Sequence, residues 1–176
     1  RCGELLGLRW SDVDLDRGLL VVQQTLEKAG TQPRFGTPKT QKSRRTMPLS
    51  TDLVAILRTW KATQNVERLA LGPEYALYNL AFTQPGGVPV DVDNLRRRDF
   101  ARLVESAGVP RIRLHDLRHG FASLLLGAGF DLKLVSDLMG HSAVSTTADV
   151  YGHLTLGPKR EAANVLGRLL SVGGTS

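Results

Sequence analysis

The four histidines of this 176-residue chain all fall between positions 115 and 153. His115 and His119 lie in LHDLRHGFASLLL. His141 and His153 lie in LMGHSAVSTTADVYGHL, which also holds Tyr151, one of three tyrosines. A set of this kind, with Arg118, suits two chemistries. One is metal binding, since HDLRH has the His-x-x-x-His spacing of a helical zinc site. A metalloprotease needs Glu after the first His as its general base. Asp116 stands there with less reach, and Arg118 between the two ligands repels a dication. The other chemistry is phosphoryl transfer. Guanidinium groups match phosphate oxygens bidentately and stay charged at any working pH. Imidazoles donate hydrogen bonds or move protons near neutrality. A tyrosine hydroxyl can serve as a covalent nucleophile, a lysine can protonate a leaving oxygen, and arginines can supply the charge that a metal otherwise would.

Each group also has an ordinary structural role. Taken as a helix at about 100° per residue with His115 at 0°, Arg118 falls near 300° and His119 near 40°, while Leu117, Phe121 and Leu124 fall near 180–240°. That pattern predicts an apolar stripe in the core and the polar groups on the opposite face. Tyr151, Tyr75, Tyr78 and Trp10 each suit a core aromatic. Cys2, the sole cysteine, excludes an internal disulfide framework and fits a reducing compartment. It reads as an incidental or buried thiol.

The elements that must carry these groups are legible in outline. Residues 2–9 predict a short helix, and 18–27 and 44–50 predict strands, with Pro48 confined to an edge or a strand end. Gly30, Pro33, Gly36 and Pro38 supply the turns between them, so an antiparallel sheet with a long basic hairpin is expected. A helix follows over 50–67, capped by Ser50 or Thr51, then a loop over 84–90. Further helices are expected over 91–107, with Asp91 as cap and Gly108 as stop, and over 114–127, 131–139, 145–151 and 158–171. Gly127, Gly129, Gly140 and Gly152 punctuate the later ones. The class is α+β, mainly α, with a small antiparallel sheet near the N-terminus. The tail GGTS is expected to be disordered.

Composition narrows the partners. The formal net charge is +6 and the pI near 9.9, which points toward a polyanion. The cations gather in TPKTQKSRRTMPL, with Lys39, Lys42, Arg44 and Arg45, and in NLRRRDF, with Arg96, Arg97 and Arg98. Solvated faces give such runs too. No apolar run approaches the roughly eighteen residues of a membrane span, and the start lacks a signal-peptide pattern. The chain opens mid-pattern without Met and reads as a fragment of a longer protein.

Four segments in order, RCGELLGLRWSDVD, TPKTQKSRRTMPL, LHDLRHGFASLLL and LMGHSAVSTTADVYGH, resemble the catalytic domain of the tyrosine recombinases, or phage integrase family, whose fold is shared with type IB topoisomerases. The resemblance covers residue 1 to about 155. It implies that Arg1, opening Arg-x-x-Glu-Leu with Glu4 as acidic partner, is the first catalytic arginine. Lys39 fits the hairpin lysine, with Lys42 as its rival. His115 and Arg118 fill His-x-x-Arg, His141 follows Gly140, and Tyr151 is the nucleophile ten residues later. Asp116, His119 and His153 are accessory positions, and Lys42, Arg44, Arg45 and Arg96 to Arg98 are candidate contacts to DNA. Met139 departs from the usual Leu, a volume-conserving change.

The implied activity is site-specific cleavage and rejoining of double-stranded DNA through a 3′-phosphotyrosyl link, with no cofactor, divalent metal or ATP. A type IB topoisomerase, a non-catalytic DNA-binding relative and a metal-dependent hydrolase are the alternatives. The resemblance also implies a homo-oligomer on DNA, a tetramer in the synapse, and a cytoplasmic, nucleoid-associated location. Residues 1–176 would be a catalytic domain lacking its first helix and the preceding core-binding domain, and weak or inactive alone. The segment 158–176 would be a C-terminal helix and tail, docking on its own domain or on a neighbour.

Overall fold

The structure, a computed structural model, describes residues 1–30, 32–37, 44–140 and 144–151. It has two compact units, Arg1–Asp116 and Leu117–Ser176.

The first unit begins with helix α1 (Cys2–Leu6), shorter than the 2–9 expected. It stops at Gly7 because the chain there runs against strand β3 (Thr25–Lys28). A Cβ on Gly3 would lie 2.5 Å from Thr25 Oγ1 and 2.9 Å from the Leu26 carbonyl oxygen, and one on Gly7 would lie 2.8 Å from the Leu26 nitrogen. The two glycines let helix and strand backbones approach to contact.

The expected strand over 18–27 is two strands. Strand β2 (Leu19–Val22) ends where the Gln24 amide donates to the Gly7 carbonyl at 2.8 Å, and β3 then leaves for another sheet. Strand β1 (Val13–Asp14), β2 and β5 (Arg45–Pro48) form an antiparallel sheet in the order β1-β2-β5, and β3 pairs antiparallel with β4 (Arg34–Gly36). Pro48 closes the edge strand β5, opposite Leu19, where its missing N–H costs the ladder least. Leu8, Val13 and Ala81 are buried beneath this sheet, with Trp10, Leu20 and Phe82 packed around them.

Helix α2 (Thr51–Leu71) starts at Ser50, whose hydroxyl accepts from the Leu53 N–H, and outlasts the expected end until Gly72 at φ 53°. Its inner face is pinned by polar bonds. Trp60 Nε1 donates to the Ala81 carbonyl at 2.6 Å, and buried Gln64 accepts from Trp10 Nε1 at 2.6 Å and donates to Thr83 Oγ1 at 2.8 Å. Trp10 is therefore a packed, hydrogen-bonded structural residue. Tyr75, read as structural, is buried at 8% exposure.

The helix expected over 91–107 is present but irregular. It runs as α3 (Val92–Asn94), a π-helical turn (Leu95–Asp99) and α4 (Phe100–Ser106), with Asp91 accepting from the Asn94 N–H and Gly108 ending the run at φ 63°. The π-turn holds Arg96, Arg97 and Arg98.

The second unit contains α5 (Asp116–Gly127, whose first residue closes the first unit), α6 (Leu132–Met139) and α7 (Val144–Tyr151). Asp131 caps α6 by accepting from the Lys133 and Leu134 N–H groups, and Gly140 ends it in the left-handed region. Ala122, Leu126, Val135, Met139 and Tyr151 form its core. This corrects the helical-wheel expectation. Leu117, Phe121 and Leu124 are exposed, Leu124 at 76%, and the buried face of α5 is the one that continues from Arg118 and His119 through Ala122 to Leu126. The wheel located the stripe correctly, but burial follows the partners that α6 and α7 supply.

Candidate active site

The expected site residues fall into separate groups. In the first unit, Arg1 precedes α1 and Glu4 lies one turn later. Arg1 Nη1 donates to Glu4 Oε1 at 3.1 Å, and the Arg1 backbone nitrogen lies 3.3 Å from Oε2. Glu4 is buried, whereas Arg1 is half-exposed. Burial pushes the Glu4 carboxyl up. The Arg45 hydrogen bond and the surrounding positive charges outweigh this, and the group ends below its usual value. Glu4 is therefore favoured as a carboxylate and is paired with Arg1.

Arg45 corrects an expectation. It was placed among the DNA contacts, yet its guanidinium turns inward and donates to Glu4 Oε2 at 2.9 Å. A carboxylate buried by α1 and the sheet needs a buried cation, and β5 brings Arg45 to it. Arg44, one residue earlier, is exposed.

His115 also differs from expectation. It sits in the turn before α5, exposed, rather than in the helix. Asp116 organises that turn. Its carboxylate accepts from the Arg113 N–H at 2.8 Å and from Arg113 Nη2 at 2.9 Å, so it buttresses the turn before α5 and does not cap the helix. His115 lines a cavity of about 890 Å³ with Arg96, Arg97, Arg111 and Arg113, over Phe100 and Val104. Arg98 instead pairs with its neighbour Asp99 at 2.9 Å. Arg111 and Arg113 were missed in the sequence, where the Arg-x-Arg pattern immediately before His115 was the available sign.

In the second unit, Tyr151 at the end of α7 is 4% exposed, with its ring in the core of Leu126, Val135 and Met139. Its hydroxyl is hydrogen-bonded to Nδ1 of His119, and the two rings are tilted at 48° with centroids 5.9 Å apart. Tyr151 is thus both a core aromatic and a polar group with a partner. Burial raises the phenol above its usual value, and the Arg118 charge pulls it partly back. Arg118 Nη2 donates to the Met139 carbonyl, which ties α5 to the end of α6, two residues before His141. His119, placed only as accessory, is the residue that meets the nucleophile candidate.

Lys39, Lys42, His141, His153 and the C-terminal segment 158–176 lie outside the described residues. Among those described, no cluster of three or more His, Cys, Asp or Glu side chains could hold a metal ion, and no helix is long and apolar enough to cross a membrane.

A small sheet and helices presenting Arg, His-x-x-Arg and Tyr in this order define a recognisable class. Residues 1–156 match the Phage integrase family, and the chain belongs to that family. It is 34% identical, over 96% of its length, to a tyrosine recombinase XerC-like protein of Caldanaerobacter subterraneus subsp. tengcongensis, covering 46% of that protein. It is 33% identical, over 97% of its length, to the ICEBs1 integrase of Bacillus subtilis, again covering 46%. The chain thus spans about half the length of these curated relatives. The fold matches that of the Tn1549 transposon integrase in complex with transposon right end DNA, with TM-score 0.77 and 24% identity over 95% of this chain and 55% of that one.

Proposed function

We propose that this chain is the catalytic domain of a site-specific DNA recombinase that cleaves and rejoins double-stranded DNA through a 3′-phosphotyrosyl intermediate, without divalent metal or ATP. The observation that carries the reading is the Tyr151 hydroxyl on His119, in the same compact unit as Arg118. A phenol in partner contact with imidazole, and within range of a guanidinium charge, has the means to lose its proton and attack phosphorus. Membership of the family and the recombinase and integrase names of its relatives support the same reading.

The steps follow from the groups. Tyr151 Oη attacks a DNA phosphorus and gives up its proton with the assistance of His115 or His119. Arg1, Arg118 and His141 hold the non-bridging oxygens as charge builds on them. The P–O5′ bond breaks and Lys39 protonates the departing 5′-oxygen. The new phosphodiester to tyrosine conserves the bond, so a 5′-hydroxyl of another strand can reverse the step and restore Tyr151. Arg96, Arg97, Arg111 and Arg113 would hold DNA backbone in the cavity beside His115, contacts that position without reading sequence. The active assembly is a homo-oligomer on DNA, a tetramer in the synapse. The chain alone is expected to bind DNA weakly and to cleave it poorly, since its relatives carry as much again outside the matched part.

Covalent trapping tests the reading. The full-length protein is incubated in EDTA with duplex DNA from beside its gene, nicked near the candidate site, and run on a denaturing gel. An adduct with wild type and none with Tyr151→Phe is the expected result. An adduct that survives Tyr151→Phe, or needs added metal, overturns it.

A further inference from the structure

Arg45 stands in the basic run that the sequence marks for DNA, yet its side chain is only 12% exposed. It opens β5, where its Cα is paired with Val22 of β2. Its Nη2 donates to Oε2 of Glu4 at 2.9 Å, and Oε1 of the same carboxylate accepts from Arg1 Nη1 at 3.1 Å. One buried carboxylate is therefore divided between an inner arginine and an outer one, the outer being 44% exposed.

Two consequences follow. The terminal torsion of a glutamate is soft, so a charge-assisted bond from a covered guanidinium to Oε2 decides where Oε1 points. The charges matter as well. Arg1 with Glu4 alone is a neutral pair, whereas the trio carries a net positive charge, which leaves Arg1 attractive to an anion despite its carboxylate partner. The Arg45 hydrogen bond also helps to keep Glu4 ionised in its buried position.

We propose that Arg45 is a positioning residue for Arg1: by fixing Oε2 of Glu4 to strand β5, it aims the Arg1 guanidinium and leaves the Arg1–Glu4–Arg45 group net positive for the DNA phosphate. This rests on the reading of Arg1 as a phosphate-holding group. Arg45 itself touches neither DNA nor the reacting atoms.

The test separates rate from affinity. The full-length protein, as wild type, Arg45→Ala, Arg45→Gln, Glu4→Gln and Arg1→Lys, is assayed on the nicked duplex for single-turnover adduct formation at saturating DNA and for Kd as a function of salt. A misaimed guanidinium is expected to slow adduct formation about 10- to 100-fold in Arg45→Ala, with Kd within threefold of wild type and an unchanged salt slope. Arg45→Gln keeps an N–H donor for Oε2 and recovers part of the rate. Arg45→Ala combined with Glu4→Gln is no slower than the worse single variant, because both act through one carboxylate. If Arg45→Ala does not fold, Arg45→Gln decides by the same two numbers. A weakened Kd with a salt slope reduced by about one and an unchanged rate makes Arg45 a DNA contact and overturns the proposal, as does no change in either quantity. Arg1→Lys cleaving as fast as wild type places the failure in the reading of Arg1, and the proposal falls with it. A wild type that forms no adduct removes the recombinase reading and this proposal together.

Discussion

Tyr151 serves the core and, on the proposed reading, the chemistry, and the two roles can be separated by substitution. Its ring is 4% exposed among Ala122, Leu126, Val135 and Met139. Truncation in Tyr151→Ala removes that packing and leaves a cavity, which costs about 3–5 kcal/mol for a buried aromatic. Tyr151→Phe keeps the ring and removes only the hydroxyl, with its bond to His119, a net loss of roughly 0.5–1.5 kcal/mol. Urea unfolding of the two variants, followed by circular dichroism, measures both numbers. The covalent-adduct assay then reads the chemistry. Tyr151→Phe should stay folded, bind DNA like wild type and form no adduct, while Tyr151→Ala should lose stability and adduct together. Equal losses from the two variants would refute the packing argument, since the ring would then contribute nothing. A loss above about 3 kcal/mol in Tyr151→Phe would mean that the hydroxyl carries far more than one hydrogen bond.

Three further outcomes are expected. Gly3→Ala places a Cβ 2.5 Å from Thr25 Oγ1 and 2.9 Å from the Leu26 carbonyl, so it should destabilise by about 1–3 kcal/mol and slow adduct formation by displacing α1; an unaltered urea midpoint would contradict the close packing. Glu4 is depressed below its usual value, so its stabilising contribution is complete above about pH 4.5 and is lost as pH falls through the lower native value. Wild type should therefore outlast Glu4→Gln in urea at pH 7 and lose that advantage as pH falls below about 4.5, and a pH-independent gap would count against the ion pairs. Tyr151 is raised, so its hydroxyl favours the folded state below about pH 10 and that contribution is lost as pH rises through the higher native value. The stability of wild type relative to Tyr151→Phe should drop above pH 10, and a flat difference between pH 9 and 11 would contradict burial of the phenol.

Local features were legible wherever one residue's chemistry decides them. Ser50 and Asp91 as caps, Gly108 and Gly140 as helix stops and Pro48 at the end of an edge strand all follow from backbone geometry and short-range hydrogen bonds. The separate strands β2 and β3 were not legible, because the division depends on Gln24 bonding to Gly7, seventeen residues away. The π-turn within 91–107 leaves no periodic trace, since one wide turn shifts the phase without breaking the helix.

The type and order of the candidate groups, and the family they imply, came from the sequence by itself: Arg1, His-x-x-Arg, Tyr151 and their spacing need no coordinates, because short motifs preserve the residue types that a chemistry requires. Tertiary structure alone decided which of them meet. Arg45 and Arg44 are neighbours of one type, yet β5 turns one inward to Glu4 and leaves the other exposed. His119, second in the sequence reading to His115, is the imidazole on Tyr151, and the α5 face that continues from it is the buried one. Burial and pairing depend on which surfaces other elements bring up, often from tens of residues away, and that information is spread over the whole chain rather than held at the residue itself.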